Sequence, residues 1–411
     1  MAESASETRP ATERVGPFAA FESPGYPFFW LSSVAASMGV QTQTVIGQWQ
    51  VYALTHSPFQ LGLVGLMNVL PIILFGVFGG AYADMADRRK LVALSQVVRI
   101  GVVGALGLLT VSGAIEVWHV YVGGLIGSFA TAFDQPSRQA MIFSLVPRRH
   151  LLNAVTWHNV QRDTSNLVGP AAAGIIMAAV SIGAAYFANA LLFVPLIIAM
   201  IRLRVGGAPP ARPSAAGLLR DGLQFVGQSP VIVTSLALDF CLSFFGAYRG
   251  ILALYARDIL RVGPEGFGFL TSAVAVGGIL GSSIVLSLGE SKHKGRIQIG
   301  AMLVYAGGVG AFGLSTLFPL SLALAGVLGC CDTVAGTMRR SIVQLATPEE
   351  MQGRVGALQL IVAQSGPALG SAQAGTMSGM IGGPAALSIG AVVCGTAALA
   401  AAMRSRAFRE V

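Results

Sequence analysis

Two aspartates, Asp163 and Asp239, stand inside the runs 153–179 and 231–255, each long enough to span a bilayer. An ionisable group in that setting is costly and is a functional candidate by default. Desolvation favours the neutral form of a carboxyl group, so a carboxylate held there can take up and release protons. Asn159, Asp163 and Asn166 follow i, i+4, i+7 spacing and form one polar stripe, with Asp163 about ten residues and about 15 Å into its helix. Arg162 points about 100° away from it. The competing role for Asp163 is a structural ion pair, with Arg162 or with another helix. Asp239 shares a predicted helix face with Ser235, Gly246 and Arg249. Arg249 is placed to hold an anionic group, to pair with a carboxylate, or to snorkel to the membrane surface. Ser37, Gln41, Thr44 and Gln48 follow 4-3-4 spacing and so lie on one helix face. A neutral amide and hydroxyl stripe can bond an oxygen-rich solute, and its alternative is interhelical bonding at about 0.6 kcal/mol per contact. Arg99 reads as a packing residue. Asp134 and Asp332 read as gate or capping charges near helix ends.

Other chemistries lack their residues. The sequence has no Gly-x-x-x-x-Gly-Lys-Ser/Thr phosphate loop and no His-Glu-x-x-His pair. Cys241, Cys330, Cys331 and Cys394 all sit in apolar runs without ligand spacing, as small buried hydrophobes do. The expectation is therefore no enzyme, no cofactor and no metal.

The elements that must position these groups are membrane helices. Hydrophobic residues make up 54% of the 411, charged residues 11%, and mean hydropathy is +0.69. A soluble domain carries about 25% charged residues. The basic pI near 9.7 comes from short loops between apolar runs, which argues for topology and against nucleic acid. Runs near the roughly 20 residues needed to span a bilayer occur at 28–54, 61–83, 91–112, 117–134, 153–179, 184–201, 231–255, 267–288, 297–317, 319–338, 355–379 and 384–403. With the amino terminus inside, internal segments hold 21 of the 26 Lys and Arg residues, and external loops hold only Arg257 and Arg261. That bias predicts both termini in the cytoplasm. The first residues form a polar tail with no apolar core of a signal peptide. Arginine outnumbers lysine 23 to 3, a balance suited to a GC-rich bacterial genome and hence to a bacterial inner membrane.

The expected division is a tail over 1–26, a six-helix half over 27–201, a linker with a surface helix over 202–229, a second half over 230–403, and a tail over 404–411. The linker holds Pro209, Pro210 and Pro213, then an apolar-periodic piece from Ala215 to Val226. The halves repeat at an offset of 201 residues: Gly80 and Gly281, Arg138 and Arg339, Pro147 and Pro348, Gly169 and Gly370, Ala173 and Ala374, Gly174 and Gly375. A parallel repeat of two six-helix halves is a transporter architecture with its site between them.

The loop Gly79-Gly80-Ala81-Tyr82-Ala83-Asp84-Met85-Ala86-Asp87-Arg88-Arg89-Lys90 resembles the signature loop of the major facilitator superfamily. Gly80, Asp84, Arg88, Arg89 and Lys90 are the gate residues this resemblance implies. Met85 stands where an arginine is common, and Asp87 where a glycine is common. Gly169-Pro170 with Gly174 resembles that family's antiporter motif, and Gly366-Pro367 with Gly370 repeats it in the second half. The stretch from Gln135-Pro136-Ser137-Arg138 to Leu167-Val168-Gly169-Pro170, with Gly353-Arg354-Val355, is similar to the branch of enterobactin exporters and macrolide efflux pumps. The resemblance implies an all-α membrane protein of twelve helices in two pseudo-symmetric halves. It also implies a proton-coupled antiporter exporting small amphipathic, siderophore- or drug-like molecules by alternating access, with a monomer expected. The alternatives are a proton-coupled importer of a small nutrient and a non-transporting sensor or lipid scramblase.

Overall fold

The computed structural model describes residues 16–85, 87–203, 223–289, 293–405 and 408, with backbone alone for 72–85, 350, 357, 360 and 404. Twelve helical segments of at least 16 residues occur among them. They are α1 Tyr26–Thr55, α2 Pro58–Met85, α3 Arg88–Val111, α4 Val117–Leu145, α5 Leu151–Ala179, α6 Ile182–Arg202, α7 Pro230–Phe245, α8 Gly263–Leu288, α9 Lys294–Leu314, α10 Phe318–Leu345, α11 Gln352–Ile381 and α12 Gly383–Arg404. No strand occurs among the described residues. The expected surface helix at 215–226 lies largely outside them.

Helix ends follow local chemistry. Proline opens α1, α7, α8, α10 and α12, where a missing N–H costs nothing. Asp87 caps α3 by accepting from Arg89 N at 3.0 Å, and Ser181 caps α6 by accepting from Ala184 N at 3.1 Å. Such caps satisfy otherwise orphaned donors. Gly382, at φ +85°, makes the tight turn from α11 into α12.

Seven segments are long and apolar enough to cross a membrane on composition alone: α3, α6, α7 with its extension to Ile259, α8, α9, α10 and α12. The polar residues of α1, α4, α5 and α11 lower the hydropathy of those helices.

The two halves repeat one packing scheme. In the first, α1 packs on α5 and α6, α4 on α2 and α3, and α3 on α6. In the second, α7 packs on α11 and α12, α10 on α8 and α9, and α9 on α12. The halves meet along α2–α11 and α5–α8. Both seams are glycine crossings at one end of the bundle. A Cβ on Gly375 would stand 2.3 Å from Pro58 O and 3.0 Å from Gly62 Cα, and one on Gly174 would stand 2.6 Å from Pro264 O and 3.0 Å from Gly268 Cα. Only glycine lets the backbones approach this closely.

Three segments depart from the sequence expectation. α4 and α10 run on to Leu145 and Leu345, past the expected ends at 134 and 338. Arg138, Arg339 and Arg340 are thus helix residues and not loop residues. Arg138 and Arg339 stay in the bundle because each is ion-paired. The expected continuous helix over 231–255 breaks after Phe245. A 3-10 turn follows at Tyr248–Ile251, then a π turn at Tyr255–Ile259. Gly246 sits at the break, where a Cβ would be 2.6 Å from both Leu242 O and the Tyr305 ring. Tyr305 Oη donates to the Gly246 carbonyl at 2.8 Å. Irregular backbone within a membrane bundle persists only where protein or a cavity satisfies it.

Candidate functional site

A cavity of about 530 Å³ lies between the halves. The first half lines it with Gln41, Thr44 and Gln48 of α1 and Arg162, Asp163, Asn166 and Pro170 of α5. The second half contributes Asp239 and Ser243 of α7, Arg249, Thr271 of α8, Asp332, Arg339 and Arg340 of α10, and Pro367 of α11.

The α1 stripe reaches this cavity through three of its four residues. Gln41 Nε2 donates to Asn166 Oδ1, joining α1 to α5. Thr44 Oγ1 donates to its own helix at Val40 O, 3.0 Å. Ser37 does not line the cavity. Its Oγ accepts from Arg138 at 3.2 Å and Gln161 at 2.9 Å within the first half.

The charges form three pairs. Asp239 accepts from Arg339 Nη1 at 2.5 Å, and both side chains are largely buried, at 13% and 7% exposure. Arg249 lies 3.1 Å from Asp332, with both about half exposed to the cavity. Arg162 Nε stands 3.8 Å from Asp163, also in the open. Open pairs contribute about 0–1 kcal/mol, whereas removing one partner of a buried pair costs about 3–5 kcal/mol. Four arginines and three aspartates line the cavity, so it carries one excess positive charge with every carboxylate engaged.

Sequence reasoning does not place Ser243, Thr271, Asp332, Arg339 or Arg340 at the cavity. Asp332 lies mid-helix in α10, not near its end, because α10 continues seven residues past the end of its apolar run. Arg339 and Arg340 were assigned to a loop for the same reason. The usable signal was the repeat of Arg138 at Arg339. The break in α7 also separates Arg249 from Ser235, which is fully buried and donates to Gln298 Oε1 at 3.0 Å. Asp134 is not a solvent-facing end charge but is 1% exposed, paired with Arg138 at 2.9 Å and bonded by Gln96 at 3.0 Å.

The two Gly-Pro motifs sit at close helix approaches. Thr42 Oγ1 donates to the Gly169 carbonyl at 3.2 Å. A Cβ on Gly366 would be 2.9 Å from Ser243 Cβ, and one on Gly370 would be 2.4 Å from Ser243 O. Each motif thus seats its helix on the cavity-lining helix of the same half, α5 on α1 and α11 on α7. In the first turn of α3, Arg88 is buried and Lys90 exposed. The side chains of Gly80 and Asp84 lie outside the described residues.

Further contacts between the halves lie at the glycine-crossing end, and Ser272 Oγ donates to the Leu167 carbonyl at 2.6 Å deeper in the α5–α8 seam. Tyr52 Oη of α1 donates to the Asp258 carboxylate, and Trp49 stacks on Phe267 of α8 at 5.8 Å between centroids. Two repeated helical halves around a polar, charge-paired cavity, sealed at one end, define a membrane transporter of the major facilitator fold. The profile of the transmembrane secretion effector family matches residues 15–410, and the chain belongs to that family of the major facilitator superfamily. It is similar to the uncharacterized MFS-type transporter YfiS of Bacillus subtilis (strain 168), at 26% identity over 388 residues covering 86% of this chain and 88% of that protein. It is also similar to the enterobactin exporter EntS of Escherichia coli (strain SMS-3-5 / SECEC), at 24% identity over 366 residues covering 88% of each. Among solved structures, a bacterial homologue of the human lysosomal transporter Spinster, in an inward-facing and occupied conformation, superposes with a TM-score of 0.72. It has 13% identity and covers 96% of this chain and 99% of that one.

Proposed function

We propose that this chain is a proton-coupled antiporter that exports small amphipathic molecules by alternating access. The observation that carries the reading is the shared cavity, with carboxylates of both halves on its wall and every contact of the glycine crossings at one end. With the termini in the cytoplasm, as the Lys and Arg bias argues, the sealed end is external and the cavity faces inward, ready to load. Asp239 and Asp163 are the proton sites. A substrate that donates hydrogen bonds to an ionised carboxylate loses them when that carboxylate takes a proton from outside. Mutual exclusion of proton and substrate is the property exchange requires. Gln41, Thr44 and Gln48 supply neutral bonding groups, and Arg249 engages acidic or oxygen-rich parts of the solute. Gly169-Pro170 and Gly366-Pro367 give α5 and α11 the bend at which the halves rock, since proline removes a backbone bond. The relation to the enterobactin exporter supports a siderophore- or drug-like cargo moving outward.

The test is a sealed vesicle holding the purified protein and a trapped pH dye, without an imposed proton gradient. Siderophores, macrolides and lipophilic cations are added in turn. A proton flux that depends on both compound and protein supports coupled exchange. If Asp163→Asn and Asp239→Asn both keep full proton-driven transport, the coupling assignment is wrong.

A further inference from the structure

On the other side of α1 from the central cavity, helices α2, α3, α4 and α6 help enclose a second pocket of about 270 Å³. Arg99 lines it, together with the carboxamides of Gln43 and Asn68. Arg99 stands midway along α3 and is 1% exposed. Its Nη2 donates to Thr131 Oγ1 at 2.5 Å, and its guanidinium lies 5.7 Å from the centre of the Phe193 ring. Its Nε has no hydrogen-bond partner. The carboxylate in the same α3–α4 seam, Asp134, is already held by Gln96 and Arg138. Arg99, Asp134 and Arg138 therefore leave one buried positive charge without a counter-ion among the described residues.

A buried charge is expensive unless it is paired. Nothing in the architecture demands a cation here. The equivalent helix of the second half, α9, carries Lys294 and Arg296 in its first turn and no charged residue after them. What distinguishes the first half is that its arginine borders a pocket with two further carboxamides. We infer that this pocket binds a compact organic monoanion, whose carboxylate pairs with Arg99 and accepts hydrogen bonds from Gln43 and Asn68. Gln364 of α11 also lines the pocket, and Thr44 borders both cavities. The anion thus touches both halves and sits one helix away from the central site. It is either a free carboxylate or the acidic arm of a molecule seated in the central cavity. The inference does not depend on transport direction or coupling.

The experiment is thermal unfolding of the purified full chain in lipid nanodiscs at constant ionic strength, titrated with benzoate and with uncharged benzamide. A ligand that binds only the folded state raises the midpoint saturably. The expected result is such a rise with benzoate and none with benzamide. In Gln43→Leu/Asn68→Leu the apparent affinity for benzoate falls by about tenfold or more, as losing hydrogen bonds to a charged group predicts. In Arg249→Gln, which alters the central cavity, the rise persists. Labelled benzoate in vesicles, read against protein-free vesicles because neutral benzoic acid crosses lipid unaided, separates the sources: protein-dependent movement marks an acidic group of the cargo, and protein-dependent binding without added movement marks a resident free anion. The inference is overturned if wild-type protein shows no benzoate-specific rise. It is equally overturned if the rise survives Gln43→Leu/Asn68→Leu unchanged or vanishes in Arg249→Gln.

Discussion

Replacing Gly375 by leucine tests whether the glycine crossings hold one end of the bundle shut. The added Cβ meets backbone on two sides, Pro58 O at 2.3 Å and Gly62 Cα at 3.0 Å, and backbone cannot swing aside as a flexible side chain can. Overpacking a close contact costs about 1–3 kcal/mol, and two backbone neighbours place this site at about 2–3 kcal/mol. The penalty applies only while α2 and α11 are in contact. It therefore shifts the ratio of this state to one with the seam parted by about 30- to 150-fold. The assay places one cysteine at Thr44 in a background without native cysteines, in oriented vesicles. A membrane-impermeant maleimide is then added on the side of the α1–α2 turn. Labelling should accelerate strongly in Gly375→Leu and less in Gly375→Ala. It should stay at the parent rate in Gly101→Leu, where a Cβ meets nothing within 4 Å. If folded Gly375→Leu labels no faster than the Gly101→Leu control, the crossing is not what seals that end.

Tyr52→Phe should also loosen the sealed end, by about 1.5–3 kcal/mol, because it removes a hydrogen bond to a carboxylate; the same labelling assay reads it. Asp239→Ala should lower stability by about 3–5 kcal/mol by stranding Arg339 in a buried site, with Asp239→Ala/Arg339→Leu recovering much of the loss in thermal unfolding. Arg249→Gln should change stability by about 1 kcal/mol or less, since its pair with Asp332 is half exposed, while raising KM for acidic compounds in transport. Gly246→Ala should destabilise by about 1–3 kcal/mol through contact with Leu242 O and the Tyr305 ring, read as a lowered unfolding midpoint.

Much of the fold was legible because lipid imposes one rule: long apolar runs become helices, and short charged turns join them. The rule failed where a charge is buried by a partner, one turn away on the same helix for Arg138 and on another helix for Arg339. Arg138 and Arg339 look like loop residues until Asp134 and Asp239 are seen beside them. The break in α7 was hidden for a related reason. Gly246 is one of 52 glycines, and only the Tyr305 hydroxyl and the crowded Leu242 carbonyl make it a break. In the site, periodicity puts Gln41, Thr44 and Gln48 on one helix face and all three line the cavity, but a stripe does not say where its end turns inward. Ser37 is claimed by Arg138 and Gln161 across helices, a competition that spacing along one helix cannot express.

The glycine crossings also fix a mechanical scale. Gly62 is the fifth residue of α2, a 28-residue helix, so it lies about 14 Å from the helix midpoint at 1.5 Å per residue. With that lever arm, a rotation of about 10° about the midpoint displaces the crossing by about 2.4 Å. Because the α5–α8 crossing repeats the α2–α11 crossing at the same end, one rigid rotation unloads both together. Obstructing a single crossing instead applies a torque off the axis and twists the halves. A single and a double obstruction should therefore differ in kind as well as in size.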